Sequence, residues 1–334
     1  MYSGSVHRSS SRLALVAFVC AFGGAVPHGV ASRKADARAF TIVSLPDTQY
    51  YAARHPEILA AQTDWILRRR DAERLAFVVH EGDIVDADDR GQWQRAAESL
   101  RRLDGAVPYV LTAGNHDYAR SGDHITRNTS LDAFFPGSAF GLTACARPTF
   151  EPGRIENSCQ IIDTPGGPWL VLSLEFGPRD AVLAWADQMA KRYASTPAIV
   201  VTHAYLASDD SRYDHLKRHD QLWTPYRYLR GDAPGQVNDG EEIWRKLVLG
   251  NDNIAFVLCG HDLGDGIGRL TSVRPDGTKV HQLLANYQMG ELGGAGYLRL
   301  LQFLPDQRRV RVRTYSPYLD RFKTDSDNDF TLDY

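Results

Sequence analysis

"VPYVLTAGNHD", residues 107–117, decides how the chain is read. Its first six residues are apolar enough for a buried strand. Asn115, His116 and Asp117 at its end are polar, and each can bind a metal or move a proton. In open α/β sheets the carboxyl ends of the strands form the ligand crevice. The same form recurs along the chain. "FTIVSLPD" (40–47) ends in Asp47, and "LAFVVHEGDIVD" (75–86) runs into Gly82-Asp83. "PAIVVTHAY" (197–205) carries His203 and "IAFVLCGHD" (254–262) carries His261. Any one such end is explained by Asp or Asn capping the next helix while Gly allows the turn. Capping does not call for histidine, however, and His116, His203 and His261 close three of the five. Together the five favour one metal site.

The segments between these strands set the fold class. Residues 57–70 space Ile58, Gln62, Trp65 and Ile66 as an amphipathic helix does, and 89–104, 179–194 and 239–249 also read as helices. Strand–helix–strand alternation implies crossover units and a parallel core. "WLVLSLEF" (169–176) is a further strand, and residues 119–160 read as a long, partly irregular insertion. "KVHQLLANYQ", "GYLRLLQFL" and "RRVRVRTYS" alternate as antiparallel strands, with Asp276-Gly277 as a hairpin signal. No repeat and no clean linker is evident. The expectation is a mixed α/β protein: one domain over 38–334, with two packed sheets flanked by helices.

Composition narrows the function. With 334 residues, 43% hydrophobic and 24% charged, the chain has ample material for a core. A net charge of -3 argues against extended nucleic acid as a partner, but not against a small phosphorylated substrate. At the N-terminus, Arg8 and Arg12 precede the apolar run "LALVAFVCAFGGAV" (13–26), and small residues follow. That order is expected of a secretory signal over 1–37, cleaved near "ADA" (35–37) or "VAS" (30–32), with export to the cell envelope or beyond. The run is too short to span a membrane, so no stable span is expected after its removal. Cys145 and Cys159 bracket a Pro-, Gly- and Asn-rich segment that a disulfide would close outside the cytoplasm, and Cys259 reads as a buried strand residue.

Carboxylate, amide oxygen and imidazole are ligands for Mn, Fe or Zn. Two such ions need a bridging carboxylate, and Asp83 is the natural bridge, with the small Gly82 letting the backbone pass close. The set resembles the calcineurin-like metallophosphoesterases over roughly residues 41–265. The family pattern appears here as Asp47-Thr48-Gln49, Gly82-Asp83, Gly114-Asn115-His116-Asp117, His203 and Gly260-His261-Asp262-Leu263. The resemblance implies a four-layer core of two sheets with helices outside. It also implies hydrolysis of a phosphate mono- or diester with one or two divalent or trivalent metal ions. Asp83, Asn115, His203 and His261 would hold one ion, and Asp47, Gln49 and Asp83 the other. His116 would sit near the leaving group and the phosphoryl oxygens, with Asp117 as its orienting acid or as a helix cap.

Two positions depart from the pattern. Gln49 stands where the family has His, and Leu263, which cannot ligate, stands where the final His would be. One site is therefore depleted unless Asp262 or Asp265 compensates. A non-catalytic phosphate- or nucleotide-binding module, or a nuclease, are the alternative readings. His80 reads as a packed residue behind the ligands. Arg127, beside His124 and Asn128, reads as an ordinary surface arginine or a phosphate contact. "YDHLKRHD" (213–220) reads as a substrate rim or a solvated loop, and "ANYQMGELGGAG" (285–296) as a tight loop near the sheet end.

Overall fold

The computed structural model describes residues 36–119, 127–136, 148–228 and 235–334. Residues 1–35 of the expected signal, His124 and Cys145 lie outside them, and so does the expected Cys145–Cys159 pairing; of the expected 35–37 cleavage site only Asp36 and Ala37 are described. In chain order the strands are β1 (Phe40–Leu45), β2 (Leu75–His80), β3 (Tyr109–Leu111), β4 (Ser158–Ile162), β5 (Trp169–Leu174), β6 (Ala198–Thr202) and β7 (Ile254–Cys259). They continue as β8 (Ile267–Val273), β9 (Lys279–Ala285), β10 (Leu298–Leu304), β11 (Arg309–Ser316), β12 (Arg321–Lys323) and β13 (Asp329–Asp333). The helices are α1 (Gln49–Arg54), α2 (Pro56–Arg69), α3 (Arg90–Leu100), α4 (Leu131–Phe134), α5 (Asp180–Arg192) and α6 (Gly240–Ile243).

Two mixed sheets result. One runs β12-β11-β10-β1-β2-β3, with β13 also on β11; the other runs β4-β5-β6-β7-β9-β8. Strand alternation sorts the side chains between layers. Phe40 and Ile42 of β1 and Phe77 and Val79 of β2 face Val171, Ile199, Val201 and Phe256 of the other sheet. Phe40 stacks on Phe303 at 4.8 Å and Trp169 meets Phe303 edge-on at 4.9 Å. On the opposite face Val43, Leu45 and Val78 pack on Ile58, Ile66 and Trp93 of α2 and α3. Leu170, Leu172 and Val200 likewise pack on Val182, Leu183 and Ala186 of α5. The layers are thus helix, sheet, sheet, helix, and each large apolar side chain buried between them stabilises the fold by about 1.5–3 kcal/mol. Helix starts follow the sequence chemistry. Asp89 caps α3 by accepting from the Gly91 and Gln92 N–H groups, and Asp239 with Glu242 forms a capping box on α6.

Several expectations are refined. The strand read over 75–86 stops at His80, because Gly82 (φ 99°) and Asp83 (φ 50°) turn the chain. The helix at 239–249 passes into a π-helical turn over Trp244–Val248. In the tail, β10 and β11 are antiparallel, whereas β9 pairs parallel to β7 and antiparallel to β8. Arg127 is neither surface nor phosphate contact. It is 4% exposed and donates to the carbonyls of Phe176, Gly177 and Gln236 beside Glu175.

Candidate metal centre

The carboxyl ends of β1, β2 and β3 meet those of β6 and β7. Asp83 Oδ2 lies 3.2 Å from His203 Nε2, and His261 Nδ1 lies 3.2 Å from the same nitrogen. Ligand atoms of Asp83, His203 and His261 all fall within 4.8 Å of one another. Asp47 stands alongside, its Oδ1 3.9 Å from His203 Nε2 and 3.2 Å from the His261 N–H nitrogen that donates to it. Close backbone approach makes this possible. A Cβ on Gly82 would sit 2.6 Å from His203 Nδ1; one on Gly114 would strike the Asp83 carboxylate, and one on Gly260 that of Asp47. Each glycine precedes a motif residue and rests on another strand's ligand.

Backbone carbonyls fix both imidazoles. His203 Nδ1 lies 2.8 Å from the Glu81 carbonyl, so this nitrogen carries the hydrogen and Nε2 faces Asp83. His261 Nε2 lies 2.7 Å from the Trp223 carbonyl, which turns Nδ1 inward. Two acceptor nitrogens therefore point at each other beside a carboxylate, an arrangement that repels itself without a positive charge. Burial favours neutral His203, yet Asp83 and then Asp47 outweigh it and push the imidazole up to about 9. Burial and the His203 charge push His261 down to about 3. Burial alone would raise Asp83, but His203 and His116 prevail and hold it below the usual carboxylate range. Burial lifts Asp47 to about 7, with Asp83 adding to the rise and His203 opposing it. The pocket recruits a proton where a cation fits, and two imidazoles with one carboxylate suit Mn, Fe or Zn.

Gln49 opens α1, two residues past Asp47. It is buried, its Oε1 has no hydrogen-bond partner among the described residues, and its Nε2 lies 3.4 Å from Asp86 Oδ1. A buried amide oxygen left without a donor fits a second cation beside Asp47. Asn115 is buried on the turn between Gly114 and His116, at the Asp83 edge of the cluster. The His116 N–H donates to Asp83 Oδ1 at 2.9 Å, and its Nδ1 lies 2.8 Å from the Asp86 carbonyl. Burial opposes protonation of this ring, but Asp83 and the Asp86 carbonyl raise its pKa.

The sequence model of the calcineurin-like phosphoesterases matches residues 40–265, which span every one of these positions. The chain belongs to the calcineurin-like phosphoesterase family. It is 34% identical over 297 residues to uncharacterized protein YvnB of Bacillus subtilis, covering 84% of this chain but 20% of that protein. The chain thus spans about a fifth of the length of this relative. Among solved structures it is similar to GAP50, the anchor in the inner membrane complex of Plasmodium, with 11% identity, 88% and 90% coverage of the two chains and a TM-score of 0.46. It is also similar to a 5'-nucleotidase precursor from Thermus thermophilus, with 12% identity, 87% and 54% coverage and a TM-score of 0.43.

Within this calcineurin-like phosphoesterase site, some expected partners stand elsewhere. Asp117 does not touch the His116 ring as its orienting acid. Its two oxygens accept from the Val85 N–H (3.0 Å) and the Gly114 N–H (2.8 Å), tying two ligand turns together. Burial, with Asp83 nearby, pushes this carboxyl up to about 7. The Asp86 carbonyl holds His116 Nδ1 instead, a backbone contact that residue identity does not signal. Asp262 does not compensate for Leu263, because its oxygens accept from Ser208, Tyr213 and the Gly264 N–H. Asp265 is exposed and caps the Ile267 N–H. His80 braces the ligand turns: Nδ1 accepts from the Gly82 N–H and Nε2 reaches Thr48 Oγ1 at 2.9 Å. The 213–220 segment is only partly solvated. Tyr213 is buried, and His215 binds Asp239 at 2.6 Å. His215, Asp239 and Glu242 form a second group with ligand-like spacing, but the capping box and the His215–Asp239 bond already account for it.

Proposed function

We propose that this chain is a metal-dependent phosphoesterase that hydrolyses small phosphate monoesters or diesters. The observation that carries this reading is the pair of imidazole nitrogens, fixed in tautomer by the Glu81 and Trp223 carbonyls, that converge with Asp83. Asp83, Asn115, His203 and His261 would hold one ion, and Asp47 and Gln49 with Asp83 a second. Such ions would supply activation of the attacking water and neutralisation of phosphoryl charge. His116, 31% exposed at the side chain and oriented by Asp86, would place a donor at the phosphoryl or leaving oxygen. Asp117 acts on the ligand turns, not on the substrate. No helix among the described residues is long and apolar enough to cross a membrane. We further propose that residues 1–37 are an export signal, so that protein recovered from its host begins near Arg33 or Arg38.

The test is turnover of aryl phosphate monoesters and diesters by protein loaded in turn with Mn, Fe and Zn. Failure of all three rejects the phosphoesterase reading; tight phosphate binding without turnover would favour a binding module instead. The two ion positions are unequal in chemistry, because a neutral amide ligates more weakly than imidazole or carboxylate. After dialysis, elemental analysis is expected to give nearer one metal per chain than two. Gln49→His is expected to raise that ratio toward two. Equal retention of two ions by the parent, with no change in the variant, would show that Gln49 does not weaken the site.

A further inference from the structure

Residues 213–228 bring more to the metal centre than the Trp223 carbonyl that turns His261. Pro225–Arg227 form a 3-10 turn, and the Tyr228 N–H closes it by donating to the Pro225 carbonyl at 3.1 Å. The turn is braced from outside. The Tyr226 hydroxyl reaches the Val237 carbonyl at 2.9 Å and Glu242 at 2.7 Å, and its ring stacks on His215. Two positions on, Tyr228 meets the metal centre instead. Its ring stands 5.4 Å from that of His261, tilted by 58°, and meets the Phe176 ring edge-on at 5.4 Å. The hydroxyl is left over from this packing. It has no hydrogen-bond partner among the described residues. The residue is half-buried, and unlike the sealed hydroxyl of Tyr118 this one keeps accessible surface. Tyrosine hydroxyls usually find a partner when buried, and those of Tyr205, Tyr213 and Tyr226 do so here. Burial first, then the charges of Asp83 and Asp262, raise the Tyr228 phenol, so it stays a donor.

A donor that is braced, accessible and unpaired beside the ligand residues suits an acceptor that arrives with the substrate. We propose that the Tyr228 hydroxyl donates a hydrogen bond to an oxygen of the bound phosphoryl group. It would approach from the His261 side of the centre, whereas His116 approaches from the Asp83 side. The ring then packs on His261 while the hydroxyl binds the phosphate. The inference rests on the phosphoesterase reading above.

Tyr228→Phe keeps the ring contacts with His261 and Phe176 and removes only the hydroxyl. In metal-loaded protein it is expected to lower kcat/KM for phenyl phosphate about tenfold, and to weaken orthophosphate binding, read by calorimetry, by about the same factor. Metal content and melting temperature should match the parent. Weaker phosphate binding accompanied by loss of metal would assign Tyr228 to packing on His261 alone and overturn the proposal. So would orthophosphate binding within about twofold of the parent, even if the parent hydrolyses esters. Calorimetry also separates this inference from the reading beneath it. If no ester is turned over but orthophosphate binding still weakens about tenfold in the variant, the contact stands and the hydrolase reading falls. No orthophosphate binding to the parent overturns the contact.

Discussion

Asp83→Asn is expected to lower kcat/KM on aryl phosphates by more than about a hundredfold, beyond the 10–100-fold typical of residues that only support a ligand. Asp83 is 2% exposed, faces His203 at 3.2 Å and is the one carboxylate assigned to both ion positions. The amide keeps its volume and can still accept the His116 N–H through Oδ1. The fold should therefore persist, and circular dichroism should match the parent. Elemental analysis of the dialysed variant should find little bound metal. A variant within about tenfold of the parent in turnover, with its metal retained, would remove Asp83 from the centre of the reading.

Gly82→Ala is expected to destabilise the protein by about 3 kcal/mol in urea unfolding, combining backbone strain with overpacking. Gly82 adopts φ 99°, which a Cβ disfavours. That Cβ would also lie 2.6 Å from His203 Nδ1 and 2.9 Å from the Gly114 nitrogen. Relief would have to move the His203 ring off the Glu81 carbonyl, so catalysis should fall with stability. A loss below about 1 kcal/mol, with full activity, would mean that the turn relaxes more freely than its packing implies.

Much of the site was legible because its side chains are chemically distinctive and its strands are long apolar runs. Asp47, Asp83, His203 and His261 could be placed at strand ends from residue type and the apolar runs before them, though not divided between two sheets, and the helices at α2, α3 and α5 follow their apolar spacing. The carbonyls of Glu81 and Trp223, which set both tautomers, leave no mark in residue identity, since any residue can supply them. Asp117 was misjudged for a related reason. The family resemblance implied a contact with His116, with a helix cap as the alternative, but a carboxylate this buried satisfies itself with backbone N–H groups of two turns. Arg127 looked like a surface residue because carbonyl acceptors from 49 to 109 positions away are invisible locally. The short strands β4, β12 and β13 carry too few residues for alternation to stand out.

Asp83 belongs to a turn of the first sheet, whereas His203 and His261 leave strands of the second, and the bond from the His261 N–H to Asp47 also joins the two. An ion held there would be a thermodynamic bolt between halves that are otherwise joined by apolar packing and a few hydrogen bonds, such as Thr112 to Ser173 and Arg299 to the Leu284 carbonyl. The unfolded chain offers no assembled counterpart to this site. Each tenfold rise in free ion above the dissociation constant would therefore add about 1.4 kcal/mol to the work of unfolding. The melting temperature of the whole body becomes a gauge of ion occupancy, readable with no substrate present and lowered by a chelator.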